Sequence, residues 1–320
     1  MMDSDPPVLA ICLPVLNQAG WFREALLKLS EQTYKEFSVF VFDNGSEDNI
    51  EGICQEFSSV LNLSYERSEA ILPKAVSWTR ALLGPKAEYV MLHHADDYLD
   101  LDSVQFLTKT LSENSEVDVV HGNFFPIDSK SRLLGNNRSF PFEYSYSKKD
   151  NLLGYYCTPG IVGLVFRQKH IQLVEGFKAE YVHLLDWHLH IRLVQAGARF
   201  LHVTKKLGAW RVGKLRDDLR HIQNLETLRV LDQANPKKGF FYKCRVIQII
   251  WEQRLFYRDK PEHDFEEVLS SIHAPPLLKS PFGQFLVTGG FACLAKPVMH
   301  TYYLLKKTQY AIRHGMRKKI

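Results

Sequence analysis

The chain has five cysteines, an odd number, scattered at Cys12, Cys54, Cys157, Cys244 and Cys293 with no CxxC pair. That usage excludes a zinc finger or a disulfide scaffold and points to a reduced compartment. No apolar run reaches the roughly 18 residues that a spanning helix needs. The N-terminus, MMDSDPPVLA, carries acids where a secretory leader needs bases, so none is expected. GxGxxG, GxxxxGK[ST] and GxSxG are all missing, which removes a dinucleotide cradle, a P-loop and a serine nucleophile elbow as sources of chemistry. Internal repeats and low-complexity tracts are missing too. What is present, 320 residues at 45% hydrophobic and 24% charged, is long enough to bury a large core without a metal or disulfide staple.

Charge is unevenly shared. Residues 1–200 hold 18 Lys/Arg against 26 Asp/Glu, a net of −8, and residues 201–320 hold 22 against 10, a net of +12. A basic second part suits an anionic partner, or is simply a solvated basic face.

Up to about residue 125, strand and helix patterns alternate. Val8–Val15, Phe37–Phe42, Leu61–Tyr65, Glu88–His93 and Val117–Phe125 read as strands. Between them, Trp21 to Leu29, Glu47–Ser58, Lys74–Leu83 and Asp100–Asn114 read as helices. Such alternation predicts an α/β sheet with helices on its faces. Residues 126–160 read as a hairpin and a long loop. A strand (Val162–Phe166), a helix (Leu184–Ala196) and strands within Ala198–Val212 follow, and beyond Arg216 only helical patterns remain. The expected organisation is a domain over 1–215 and a helical, basic extension over 216–320.

In an open α/β sheet, ligands bind beyond the carboxyl ends of the strands. Three such ends are unusually polar: Pro14-Val15-Leu16-Asn17, Asp43-Asn44-Gly45-Ser46 and His93-His94-Ala95-Asp96-Asp97. With no glycine-rich phosphate loop, a divalent ion on carboxylates is the remaining way to neutralise a diphosphate. In extended backbone, His94 and Asp96 project to one side and Asp97 to the other. On the residues alone, Asp43 also fits an Asx-turn or a helix cap. Asp186 equally fits an acid favoured by a helix N-terminus, which would lower its pKa.

Together these segments resemble the inverting family 2 glycosyltransferases of GT-A fold, over roughly residues 8–212. Ile11–Asn17 with the Ser30-Glu31-Gln32-Thr33-Tyr34 corner looks like the family's opening strand and turn. Val39–Asp48 (VFVFDNGSED) is similar to its "VDDGSxD" strand end, and Glu88–Leu99 (EYVMLHHADDYL) to its "EYIxxLDADDxL" metal segment. Asp186-Trp187-His188-Leu189 with Arg192-Leu193 and Gly197 resembles the "EDWDLxxRLxxxG" helix that presents the base.

The resemblance implies a mixed, mostly parallel sheet flanked by helices, with roles for specific residues. Asp43 would accept from the nucleotide base, with Pro14 and Asn17 lining the same pocket. Asp96 would be the principal ligand of Mn2+ or Mg2+ and contact the nucleotide, with His94 in the place of the first Asp of DxD and Asp97 assisting. Asp186 would be the general base.

The chain also departs from the family pattern. Ser77-Trp78-Thr79 stands where Ala-Arg-Asn is usual, removing an expected basic contact. Leu185 replaces the acid before the base, and Gly213 replaces the histidine of "WRxH" after Trp210-Arg211-Val212. An imidazole at 94 suits manganese better than magnesium.

The implied activity is metal-dependent transfer of a sugar from a nucleotide diphosphate, most simply a UDP-sugar, to a hydroxyl of a carbohydrate or lipid-linked acceptor. The implied setting is surface polysaccharide or glycolipid assembly, cytoplasmic or peripheral at the inner face of the cell membrane. A nucleotidyltransferase-like enzyme would need a glycine-rich basic loop that Leu13–Gly20 does not supply. A non-catalytic nucleotide-sugar binder would keep the pocket without turnover, and the irregular HxDD leaves that reading open. Nucleic acid is not an expected partner, since no DNA or RNA motif accompanies the basic charge. Phe140, Phe142, Tyr144, Tyr146, Tyr155, Tyr156 and Tyr181 are aromatics available to an acceptor or to packing. Residues 296–320, with seven Lys/Arg and no acid, suit an anionic membrane surface or a packed helical appendix.

Overall fold

A computed structural model describes residues 8–135, 143–147 and 161–212, together with Ile222, Glu226, Thr227, Arg229 and Val230. The chain divides into two compact units, the second made chiefly of Leu215–Arg317. Every element below belongs to the first. The predicted extension and the aromatics at 140, 142, 155 and 156 lie outside the described residues, apart from those five positions, all helical. Among the described residues no helix is long and apolar enough to cross a membrane.

In chain order the first unit comprises β1 (Leu9–Val15), α1 (Ala19–Ser30), β2 (Ser38–Asp43), α2 (Ile50–Phe57), β3 (Leu63–Arg67), α3 (Lys74–Leu83), β4 (Tyr89–Leu92) and β5 (Tyr98–Leu99). There follow α4 (Ser103–Glu113), β6 (Val119–Ile127), β7 (Tyr144–Tyr146), β8 (Leu164–Arg167), α5 (Gln168–Leu173), α6 (Leu185–Gln195) and β9 (Phe200–Arg211). One sheet takes the order β3-β2-β1-β4-β8-β6-β9-β5, with β7 on β9. β1, β2, β3 and β4 pair in parallel, and β8 is antiparallel to both β4 and β6. Hence β6, and β9 parallel to it, point the same way as β1. The sheet is mixed but mostly parallel, as expected, and its carboxyl ends gather on one edge.

β1 is buried at all seven positions, the signature of a strand covered on both faces. Phe22, Ala25, Leu26 and Leu29 recur at helical spacing and seal α1 onto the sheet. The Gln32-Thr33 corner has a structural reason. Gln32 is fully buried; its amide donates to the Asp100 carbonyl at 2.8 Å and accepts the Val104 N–H at 3.1 Å. It thereby satisfies one of the orphan donors in the first turn of α4. α2 starts later than predicted because Asn49, not Glu47, caps it by accepting the Gly52 N–H.

The predicted "strands" of 198–212 form one long strand, entered through Gly197 at φ +91, the left-handed position that ends α6. Gly208 faces β5 so closely that a Cβ would collide with the Tyr98 carbonyl. That close approach draws the segment after β4 against β9.

Candidate active site

Val15 accepts the Asn44 N–H on the β2 side, so Pro14 faces β4. There the ladder closes with His93 N–H on the Cys12 carbonyl at 2.9 Å. Lacking an N–H, Pro14 ends it, and the two strand ends part. Just beyond, Asn17 adopts φ +54, donates its N–H to Ser46 Oγ at 3.1 Å and accepts the Glu47 N–H at 2.8 Å. Asp43 ends β2 fully buried. Its Oδ1 accepts the Ser46 N–H, three residues on, at 2.7 Å, while Oδ2 accepts the Tyr65 hydroxyl at 2.8 Å and faces Arg67 at 3.4 Å. Burial, then Asp43, pushes the Tyr65 hydroxyl up to about 12, keeping it a donor. Pro14, Asn17 and Asp43 therefore share one rim.

The segment after β4 is a turn rather than extended chain, with Asp97 N–H on the His94 carbonyl at 3.2 Å. The expected side alternation fails for that reason. His94, Asp96 and Asp97 instead bring one ligand atom each within 4.8 Å of one another. Asp97 Oδ1 accepts the Arg211 N–H at 2.8 Å, and Oδ2 lies 3.8 Å from His94 Nδ1. Among the described residues, the buried Asp97 Oδ2 and His94 Nε2 have no hydrogen-bond partner.

Burial, then the Asp96 charge, pushes the Asp97 carboxyl up to about 8, and burial raises Asp96 as well. Burial, helped by His93 and Lys74, holds the His94 imidazole down to about 3, so it is neutral. Two crowded carboxylates that resist ionisation, beside a neutral imidazole with a bare nitrogen, fit a divalent cation.

Arg211 fixes this turn. Only 5% exposed, it donates to the carbonyls of Asp96 (2.8 Å) and Asp128 (3.0 Å), to Ser131 Oγ (3.1 Å) and to Glu24 Oε2 (3.0 Å). Its guanidinium lies 5.3 Å over the Trp21 ring. The sequence showed Arg211 only as part of a motif. Its role needed the tertiary contact between β9 and the turn.

Asp186 sits in the first turn of α6, its Oδ1 accepting the Trp187 N–H at 2.8 Å. The expected lowering of its pKa is corrected: burial raises it, outweighing the Trp187 N–H and Lys74. A raised pKa makes a stronger base. Arg192, one turn and a half on, donates to the Val174 carbonyl at 2.6 Å and to that of Gly176. Phe177 N–H in turn bonds Thr79 Oγ1 on α3 at 2.8 Å. That chain of bonds couples α6 to α3, which carries Trp78. The Trp78 ring lies 4.7 Å from His94 and 5.4 Å from Phe177.

Trp78 is visible in the sequence only as a departure from the family pattern, and its contacts with Lys74 and with the His94 ring depend on the fold. A lysine one helical turn before a tryptophan, just after Pro73, was the available signal. Tyr181 packs 4.2 Å from His188.

The family model described as glycosyl transferase family 2 matches residues 10–169. Glycosyltransferase GlyA of Streptococcus pneumoniae is 30% identical over 128 residues, 39% of this chain and 18% of that protein. Chondroitin synthase of Pasteurella multocida is 24% identical over 231 residues, 69% of this chain and 22% of the synthase. The chain thus spans about a fifth of the length of these curated relatives. In fold it is similar to TarS 1–349 of S. aureus in complex with UDP, with a TM-score of 0.56 and 17% identity, covering 96% of this chain and 91% of that one. It is also similar to the mannosyltransferase PcManGT of Pyrobaculum calidifontis in complex with GDP-Man and Mn2+, at 0.53 and 16%, covering 94% and 88%.

Proposed function

The chain belongs to glycosyl transferase family 2, and we propose that it transfers one sugar from a nucleotide diphosphate, a UDP-sugar, to an acceptor hydroxyl with inversion and with help from a divalent cation. The observation that carries this reading is the His94, Asp96 and Asp97 cluster at a strand end, with its unpartnered Asp97 Oδ2 and His94 Nε2. TarS with UDP and PcManGT with GDP-Man and Mn2+ support the donor class and the metal.

Asp43, Pro14 and Asn17 bind the nucleoside end, Asp43 through acceptor capacity left on its carboxylate. Asp96, with His94 and Asp97, would hold the cation, which would supply positive charge to the diphosphate. Asp186 takes the proton from the acceptor hydroxyl as its oxygen bonds to the anomeric carbon. The bond from that carbon to the diphosphate oxygen breaks on the opposite face, with the electron pair leaving on the nucleotide diphosphate. A modestly basic carboxylate suffices because position, not intrinsic basicity, supplies most of the acceleration.

Relatives named for chondroitin, hyaluronan and poly-β-1,6-N-acetyl-D-glucosamine synthesis support a role in surface polysaccharide or glycolipid assembly. The acceptor is then a carbohydrate or a lipid-linked saccharide, and the protein works at the inner face of the cell membrane. The test is release of nucleotide diphosphate from a panel of UDP- and GDP-sugars, with Mn2+ and with excess EDTA. Turnover that needs the metal supports the reading. Full activity in EDTA, or binding of nucleotide sugars without any turnover across acceptors, overturns it in favour of a metal-free enzyme or a binding protein.

A further inference from the structure

Asp186 can take a proton from an acceptor only if α6 holds it at a fixed place relative to the turn after β4. The two elements are a helix and a strand end, so no sheet ladder joins them. What reaches both sides is the segment 174–177. α5 ends in a Schellman turn: Glu175, at φ +57, donates its N–H to the Gln172 carbonyl at 3.0 Å, and the Gly176 N–H meets that of Ile171 at 3.0 Å. The turn leaves Val174, Gly176 and Phe177 within bonding distance of side chains on α3 and α6.

From α3, the Thr79 hydroxyl accepts the Phe177 N–H at 2.8 Å and faces the carbonyl of the same residue at 3.5 Å. The approach is close: a Cβ on Gly176 would come within 2.4 Å of Thr79 Cγ2. From α6, Arg192 donates to the Val174 carbonyl at 2.6 Å and to that of Gly176. Bonds from a charged donor are the stronger kind, so the α6 side grips firmly and the α3 side depends on one neutral hydroxyl. The start of α5 is fixed separately, by the Gln168 amide on the carbonyls of Leu82 (3.0 Å) and Pro85 (2.6 Å). Losing the Thr79 hydroxyl therefore frees 174–177 without undocking α5. Trp78, the next residue, lies 5.4 Å from the Phe177 ring and 4.7 Å from the His94 ring, so the grip on Phe177 stands beside the metal turn.

We infer that Thr79 is a positioning residue. By holding the Phe177 main chain it sets where α6, gripping the same segment through Arg192, places Asp186 against the acceptor hydroxyl. The inference rests on the proposed transferase reading and adds to it a residue that acts only through another. Thr79 stands where the family pattern has asparagine, so the hydroxyl is this chain's own. A displacement of about 1 Å at a reacting group costs about 10²-fold in rate, which is how a half-buried threonine weighs on kcat. The rim of Pro14, Asn17 and Asp43 shares none of these bonds, so donor affinity does not follow.

The test compares the full wild-type chain with Thr79→Val, which keeps the shape and removes the hydroxyl, and Thr79→Ser, which keeps the hydroxyl. Assays contain Mn2+ and the UDP- or GDP-sugar that supports turnover. Thr79→Val should lower kcat about tenfold or more, while donor KM and calorimetric affinity for UDP or GDP stay within about twofold. Thr79→Ser should recover most of kcat. In an Asp186→Asn background, Thr79→Val should cost little further, because a base that is gone cannot be misplaced. Hydrogen exchange at the Phe177 amide reads the contact without any turnover, and should quicken in Thr79→Val but not in Thr79→Ser. Unchanged kcat or unchanged Phe177 exchange in Thr79→Val overturns the inference. So does an equal loss in Thr79→Ser, a matching fall in nucleotide affinity, or a loss that adds to that of Asp186→Asn. A wild type that turns over no donor in the UDP- and GDP-sugar panel would instead overturn the transferase reading, and this inference with it.

Discussion

His190 should make this fold acid-labile by a calculable amount. It lies fully buried on α6 between Phe166 and Phe200, at ring distances of 6.1 and 5.9 Å. Neither ring nitrogen has a hydrogen-bond partner among the described residues. Burial holds its pKa down to about 3, far below the 6.5 of a free imidazole. Between those two values the unfolded chain takes up a proton that the folded chain refuses. Stability is therefore fully present above pH 6.5 and falls as pH drops toward 3, by about 1.4 kcal/mol per unit. At pH 5 the loss from His190 alone is about 2 kcal/mol, against a typical total of 5–15.

His190→Leu, close in volume and apolar, removes this term. The variant's stability relative to wild type should be about 2 kcal/mol more favourable at pH 5 than at pH 7.5. Because the chain has two compact units, the readout should be local: hydrogen exchange of β8 and β9 amides, corrected for intrinsic rates, reports the opening free energy of this sheet. A difference between variant and wild type that is the same at both pH values would refute the reasoning.

Four further expectations follow from the site and the chain's charge. Asp97, held up to about 8, must lose its proton before it can serve a metal, so Mn2+ affinity should rise with pH by up to about tenfold per unit from 6 to 8 and then level; electron spin resonance of free Mn2+ reads this, and a flat profile contradicts it. Asp186→Asn should cut kcat by about 10²-fold or more while donor KM stays nearly constant; a variant with wild-type kcat would put the base elsewhere. Arg211→Lys keeps the charge but cannot reach four acceptors at once, so it should cost about 2–3 kcal/mol in chemical unfolding; an unchanged transition would mean the clamp does not matter. Residues 296–320, with seven Lys/Arg, should bind anionic vesicles with on the order of 3–4 kcal/mol if half the charges reach the surface; equal flotation of the full chain and one ending at Ala295 would argue against it.

The elements most legible in the sequence were those whose cause is local. β1, β2 and β4 announce themselves as unbroken apolar runs, and α1 and α6 by their spacing, because burial on both faces or on one stripe leaves a direct trace. β5 was not legible. It is two residues long and exists because Gly208 lets β9 approach the Tyr98 carbonyl, a contact spanning more than a hundred positions. The site divides the same way. Strand ends showed where Asn17, Asp43, His94 and Asp96 lie, but the place of Asp97 depended on a turn that strand-like alternation could not anticipate.

The departures from the family pattern have a common physical thread. Replacing an aspartate by His94 takes one negative charge from the cation cluster, and replacing an arginine by Trp78 takes one positive charge from the helix beside it. Both changes fall on side chains whose rings lie 4.7 Å apart, so the loss of opposite charges leaves the local balance nearly unchanged. The contact that replaces them is between two rings, and burial keeps the imidazole in the neutral form that a metal ligand requires. Lys74, one turn earlier on the same helix, has its Nζ 5.0 Å from the Trp78 ring. If the two substitutions compensate, His94→Asp alone should harm the site, because the added carboxylate would meet an aromatic face rather than a guanidinium. His94→Asp combined with Trp78→Arg should bind Mn2+ and UDP better than either single variant. A double-mutant cycle on UDP affinity tests this, and additive effects would show that the two positions act independently.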